Sequence, residues 1–406
     1  MNFSSIYPKR PQQCHTEVMK EASVGTLEYQ GFELGPIRPP SEAHSLLLRV
    51  TRNCPWNKCK FCNLYRGEKF SVRPVDHLKK DIDLVKGYVD RIQDVISRSG
   101  GERYQVLTTL QRGLSFTEQM VFQSVLSWLQ GGMTSVFLQD ANTLVIKPDQ
   151  LVAVLEHLRK VFPEIERVTS YARSHSIARI SDEDLARLAA AGLNRIHIGM
   201  ESGANEVLAL VSKGVDQKTQ IVAGQKVKRA GIELSEYVMP GLGGKDFSSA
   251  NALQTAEAIN QINPDFVRIR TVAIPADVDL YHEVRSGRFT PLTDIEKAAE
   301  LLLFLDNLTG VTCVVKSDHI LNLFEEVEGH LPDDHERMTA PLRTFMAMPL
   351  EEQLLYRVGR RTGIFSKLTD LEDSNLRGHA EKAMRAHRVT KGNIEAWTEE
   401  MMQRFI

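Results

Sequence analysis

Short runs of apolar residues alternate with longer stretches of helical period along the middle of this chain. Leu46–Val50 is mostly apolar and reads as a buried strand. After Pro74, Leu78, Ile82, Val85, Val89, Ile92 and Ile96 keep the spacing of one helix face. A second helix is predicted over Thr117–Leu129, stopped by Gly131 and Gly132, and a strand over Ser135–Gln139. Pro148 then opens a helix with Leu151, Val154, Leu155, Leu158 and Val161 on one face.

The same alternation continues. Strands are predicted at Arg167–Tyr171, Arg195–Gly199, Ile232–Val238 and Phe266–Arg270. Between them lie helices capped by Ser181 and running to Ala191, around Asn205–Val211, over Lys218–Ala230 and over Ser248–Ile262. Six strands separated by helices argue for a parallel sheet with right-handed crossovers, an α/β fold. Beyond it come a helix near Asp294–Leu305 and a further strand, Val311–Val315. We therefore expect an N-terminal arm over 1–40, a core and its continuation over 41–330, and a helical C-terminal extension over 331–406.

Composition narrows the class only a little. The 406 residues are 42% hydrophobic and 25% charged, with a formal charge of −2. Bulk charge does not announce a nucleic-acid binder, although a local basic groove stays open. No apolar run approaches the roughly 20 residues of a membrane span. The N-terminus has no apolar signal-peptide core, so the expected location is cytoplasmic.

Cysteine usage changes the picture more. Cys14 and Cys313 stand alone, while Cys54, Cys59 and Cys62 follow the first strand as C-x4-C-x2-C. That is metal-site usage in a reducing compartment, not a disulfide framework. Three thiolates on a four-iron cluster leave one iron open for a small molecule, as on a catalytic zinc. The alternative is structural zinc with a fourth ligand such as His77 or Cys14.

The cysteine loop resembles that of the radical S-adenosylmethionine (SAM) superfamily, with one residue more than the usual C-x3-C-x2-C. The branch it looks most like has the Elongator-catalytic-subunit/methylthiotransferase/nitrogenase-cofactor type of core. The resemblance spans about 41–280 and rests on ordered matches at strand ends. These are Phe61 before the last cysteine, Phe137-Leu-Gln-Asp140-Ala-Asn142, Tyr171-Ala-Arg173, Ile198-Gly-Met-Glu201-Ser-Gly203 with Leu208 and Lys213-Gly214, and Tyr237-Val-Met-Pro240-Gly241-Leu-Gly243-Gly244.

It implies a partial (β/α)6 TIM-like barrel. It also implies a [4Fe–4S] cluster on the three cysteines and SAM on the open iron. Phe61 would lie near the adenine, and Asp140, Arg173, Glu201, Gly241 and Gly243 would be candidate SAM contacts. In such barrels, function-bearing residues collect at the strands' C-terminal ends. A carboxylate suits SAM's amine or hydroxyls, a guanidinium its carboxylate, and glycine a close backbone approach. One electron from a donor such as flavodoxin or ferredoxin would cleave SAM, and the 5′-deoxyadenosyl radical would take hydrogen from the substrate.

Each residue also has a plainer reading. Glu201 could cap a helix, the 241–244 glycines could form a turn, and Arg173 could pair with Asp140. His197 and Tyr237 read as packing residues, and His330 and His335 as parts of a solvated loop. The run Arg357-Val-Gly-Arg-Arg361 reads as an exposed basic helix face more readily than as an RNA contact. With only Cys14 and Cys313 outside the triad, a second all-cysteine cluster is not expected. No cobalamin-binding domain is apparent ahead of the barrel. Three functions remain: radical chemistry on a small molecule, a tetrapyrrole being one candidate; radical modification of RNA or protein; and a zinc-stabilised binding protein without catalysis.

Overall fold

A computed structural model describes residues 28–98 and 103–404. Residues 31–406 form one compact unit, and 28–30 belong to a separate N-terminal one. Residues 1–27 of the expected arm, with Cys14, lie outside the described residues.

The sheet has eight strands in sequence order, β1 (Leu46–Arg49), β2 (Ser135–Gln139), β3 (Arg167–Ala172), β4 (Arg195–Glu201), β5 (Glu233–Val238), β6 (Phe266–Ile269), β7 (Val314–Lys316) and β8 (Gly329–His330). β1 to β7 pair in parallel, and β8 returns antiparallel to β7. The sheet is therefore a partial barrel with β1 and β8 at its edges. Its seventh parallel strand is the further strand expected after the sixth, at Val314–Lys316 instead of Val311–Val315. Val314 and Val315 pair with Phe266 and Val267, so this strand extends the same register.

Alternation along each strand separates two faces. Leu46, Leu48, Val136, Leu138, Val168, Ile196, Ile198, Leu234 and Val267 are buried in the apolar core shared with the helices. Truncating one of these to alanine costs about 2–5 kcal/mol. The opposite face, turned to the barrel interior, is aromatic and polar: Phe137, Thr169, Tyr171, His197, Ser235, Tyr237 and Arg268. His197 is buried, as the sequence indicates, but its neighbours are the rings of Tyr171 and Tyr237, at 5.7 and 6.0 Å.

Helices α1 (Val75–Arg98), α2 (Arg103–Arg112), α3 (Phe116–Gln130), α4 (Pro148–Val161), α5 (Ser174–Ile177), α6 (Asp182–Ala190), α7 (Asn205–Leu210), α8 (Gln217–Arg229) and α9 (Gly244–Ile262) connect the strands. Local chemistry sets their starts. Ser115 and Glu118 form a capping box for α3, Ser181 accepts from the Asp184 N–H, and Asp216 accepts from the Thr219 N–H at 2.8 Å. The segment before β1 is tied to β2, where Gln139 accepts from Gly35 N–H at 2.8 Å and donates to Ile37 O at 2.7 Å.

After β6 come α10 (Asp279–Arg285) and α11 (Asp294–Asp306), then α12 (His335–Ala347), α13 (Leu350–Arg361), α14 (Ser374–Ala386) and α15 (Ile394–Gln403). Here the expected exposed basic face is corrected. Arg357 and Arg361, 1% and 3% exposed, turn inward onto the buried Asp294 of α11, at 2.9 and 3.2 Å. Arg357 also makes a two-pronged pair with Glu395 of α15. These two guanidiniums hold the last helices to the barrel, and the charge run is structural. His330 and His335 have separate partners: His330 N–H donates to Asp334, and His335 stands 3.3 Å from Asp306.

Candidate active site

The cysteine loop springs from the end of β1. Thr51–Arg52 pairs antiparallel with Ser71–Val72 and closes its base. Asn53 and Asn57 have left-handed backbone, which asparagine tolerates better than most residues. Asn57 N–H points at Cys54 Sγ, 3.4 Å away. Cys54, Cys59 and Cys62 are half-buried and free of disulfides.

The loop is fixed on three sides. Trp56 Nε1 donates to Ser212 O at 2.8 Å, and Lys60 N–H to Val211 O at 2.9 Å. Leu280 N–H donates to Lys60 O at 2.8 Å, and Lys60 Nζ pairs with Glu283 at 2.8 Å. Underneath, Asp140 at the end of β2 is fully buried and takes Arg49 Nη2 at 3.0 Å, Asn53 N–H at 3.3 Å and the Tyr65 hydroxyl. Asp140 is therefore the loop's anchor, and its pairing partner is Arg49, not Arg173.

Arg173 leaves β3 and reaches the loop from another side. It donates to Lys213 O at 2.6 Å, and its guanidinium lies 5.1 Å from the Trp56 ring centre. Glu201, at the end of β4, has φ of +67°, a conformation that costs a glutamate about 1–3 kcal/mol. Its Oε1 lies 3.3 Å from Lys213 Nζ, while its buried Oε2 has no hydrogen-bond partner. Lys213 Nζ in turn stands 5.7 Å from the Phe61 ring centre. Phe61, Arg173, Glu201 and Lys213 thus gather at the cysteines.

Burial pushes the Cys59 thiol up in pKa, and Lys213 and Arg173 pull it back. Burial likewise raises Cys62, against the Leu64 backbone, Arg270 and Lys213. Cations around a thiol favour the thiolate that binds metal.

Gly241 and Gly243 sit differently. At Gly241, φ is +86°, and an added Cβ would meet Val272 at 2.8 Å. At Gly243 it would meet the Phe247 backbone at 2.9 Å. Chain packing already accounts for both glycines. Their turn is fixed by Gly241 N–H donating to Glu300 at 2.7 Å. It places Leu242 in the small apolar cluster against which Phe61 packs.

The donor set fits a cluster better than a single ion. Among the described residues no three His, Cys, Asp or Glu side chains converge as one metal ion needs. Thiolates on a cubane bind separate irons and need no common focus. Glu201 Oε2, buried and unpartnered beside the loop, fits a hydroxyl or amine of a bound cofactor. Lys213, Trp56, Arg49 and Tyr65 were given no role from sequence. Lys213 and Trp56 lie inside the quoted stretches, but only the fold shows what they touch.

Comparison with known proteins agrees with the site. The chain is 24% identical over 167 residues to a tRNA uridine(34) acetyltransferase of Methanocaldococcus infernus, covering 39% of this chain and 31% of that protein. The same-named protein of Methanocaldococcus jannaschii is 23% identical over 128 residues, covering 31% and 24%. The chain thus spans less than a third of either relative. An Elp3 structure from Methanocaldococcus infernus superposes with a TM-score of 0.40 at 17% identity, over 49% of this chain and 53% of that one. Coproporphyrinogen III oxidase of Escherichia coli, a radical SAM enzyme, gives 0.43 at 15% identity over 65% and 52%. The radical SAM superfamily model matches residues 48–255, just over half the chain, from the first strand through the cysteine loop, Arg173 and Glu201. The chain belongs to the radical SAM superfamily and is a radical SAM enzyme, with a [4Fe–4S] cluster and SAM as its cofactors.

Proposed function

We propose that this enzyme takes a hydrogen atom from a small molecule held inside the barrel. When bound, the cluster and SAM supply a one-electron cleavage that yields a 5′-deoxyadenosyl radical. Cys54, Cys59 and Cys62 hold the cluster. Glu201 Oε2 receives the amine or a ribose hydroxyl of SAM, Arg173 its carboxylate, and Phe61 borders the adenine. The backbone at Gly241 and Gly243 shapes the wall behind Phe61, and Asp140 holds the loop in place. A one-electron donor of the flavodoxin or ferredoxin class completes the system, and the unpaired thiols fit a cytoplasmic setting. An arm over 1–40, a core over 41–330 and a helical extension over 331–406 belong to the same proposal.

The interior carries the small-molecule reading. Ser235 and Thr169 are fully buried there, yet among the described residues Ser235 Oγ and Thr169 Oγ1 have no hydrogen-bond partner, and His197, also buried, has only the Glu42 carboxylate 3.9 Å from its Nε2. Buried polar groups of this kind are satisfied by water or ligand. A second reading, radical chemistry on tRNA, is favoured by the likeness to the two tRNA uridine(34) acetyltransferases. Incubating the reduced, SAM-supplied enzyme with a small-molecule extract fraction and with bulk tRNA separates them. Stimulated 5′-deoxyadenosine release from the small-molecule fraction alone is expected. Stimulation by tRNA alone would transfer the assignment to RNA.

A further inference from the structure

β6 carries Arg268, and the chain continues in register to Arg270, whose N–H donates to Val238 O at 3.0 Å. Alternation places both arginines on the interior face, with Tyr237 opposite Arg268. Arg268 is 3% exposed and ion-paired with Asp318, in the loop after β7, yet its Nε has no partner. The Tyr237 hydroxyl is buried, and its ring centre lies 6.4 Å from that of Tyr171. Among the described residues the Arg270 side chain, exposed at the strand's end, makes no hydrogen bond or ion pair.

His319 completes the group. Its Nδ1 accepts from Leu321 N–H at 3.3 Å, so a neutral ring carries its proton on Nε2. Burial, aided by Arg270, lowers its pKa to about 4 against the pull of Asp318, so the ring is neutral at pH 7.

We propose that Arg270, with His319 and Tyr237, receives a terminal carboxylate of the substrate at the inner mouth of the barrel. This rests on the small-molecule reading above. The groups are donors, and Asp318, next to His319 in the chain, is held by Arg268. The unbalanced charge is that of Arg270 alone, which matches a monoanion. A guanidinium fork meets the two oxygens of a carboxylate in its own plane.

The test uses full-length, cluster-loaded protein and succinate labelled with carbon-13 at its carboxylates, observed by NMR. Succinamide and inorganic phosphate serve as comparisons. Succinate is expected to bind wild type, succinamide not to bind, and phosphate to bind more weakly. Arg270→Gln is expected to weaken succinate about tenfold or more, as losing a charge-assisted contact does. Arg270→Lys should fall between, and His319→Gln should weaken binding less. SAM affinity should be unchanged in Arg270→Gln. Equal succinate binding by wild type and Arg270→Gln overturns the proposal, as does tighter binding of phosphate. A parallel loss of SAM affinity also overturns it, assigning Arg270 to the cofactor's carboxylate. Arg270-dependent succinate binding without SAM cleavage in wild type would instead sink the radical reading alone.

Discussion

Arg49 reaches across from β1 to hold Asp140 of β2 at 3.0 Å, directly beneath the cysteine loop. Asp140 is fully buried, so its charge depends on Arg49 and on the hydrogen bonds from Asn53 and Tyr65. Removing one partner of such a pair costs about 3–5 kcal/mol. Arg49→Met is expected to lower the urea midpoint by a corresponding amount and to reduce iron and sulfide retention after anaerobic reconstitution. Full iron content in a destabilised Arg49→Met protein would separate the anchor from the cluster site.

Glu201 offers a test in which stability and function move in opposite directions. Its left-handed backbone suits glycine better than glutamate. Glu201→Gly is therefore expected to melt no lower than wild type, while SAM affinity falls about tenfold or more through loss of charge-assisted contacts. Calorimetry of the reconstituted protein measures the second effect and thermal melting the first. Unchanged SAM affinity would remove Glu201 from the cofactor site.

Acid should destabilise the fold in two stages. Burial, with Arg268 adding to it, holds His197 down to about 4 against the pull of Glu42. The unfolded chain takes up this proton near pH 6.5 and the folded chain only near 4, so stability falls across that window as pH drops. The single-site loss amounts to about 3 kcal/mol. Asp294 is itself disfavoured as an ion by burial, but Arg361 and Arg357 hold its carboxyl below its ordinary range. Its contribution is present above about pH 4 and is lost as pH falls further. Urea midpoints measured from pH 8 to pH 3 check both stages. His197→Phe should flatten the first stage and leave the second.

Asp294 also anchors the C-terminal helices. Asp294→Ala leaves Arg357 and Arg361 buried, with Glu395 and the Thr398 hydroxyl still on Arg357 and, among the described residues, no carboxylate on Arg361. A loss of about 3–5 kcal/mol is expected. Limited proteolysis should then cut first within 331–406. Equal protease resistance would show that the aromatic contacts of Phe324, Phe345 and Tyr356 suffice.

The strand and helix order was legible because the barrel's outer face is apolar at a constant period, from Leu46 to Val267. The cysteines were legible because their spacing is itself chemical. What stayed hidden depends on distance between strand ends. Nothing local in Asp140 reveals that Arg49 and Tyr65 reach its oxygens. Nothing local at Gly241 and Gly243 reveals that Val272 and Phe247 border the space a Cβ would fill. Arg357 and Arg361 look solvated because a charge run carries no mark of its buried partner. Lys213 becomes informative once the fold sets it between Glu201 and Phe61.

The most direct measurement is anaerobic reductive cleavage of SAM by the reconstituted full-length chain, beside Cys54→Ala, Cys59→Ala and Cys62→Ala. Wild type is expected to carry about four irons and four sulfides and to release 5′-deoxyadenosine. Each cysteine variant is expected to fold, to lose the cluster and to release none. A folded wild-type protein that binds zinc in place of iron, or holds the cluster and leaves SAM intact under reduction, would contradict the radical mechanism.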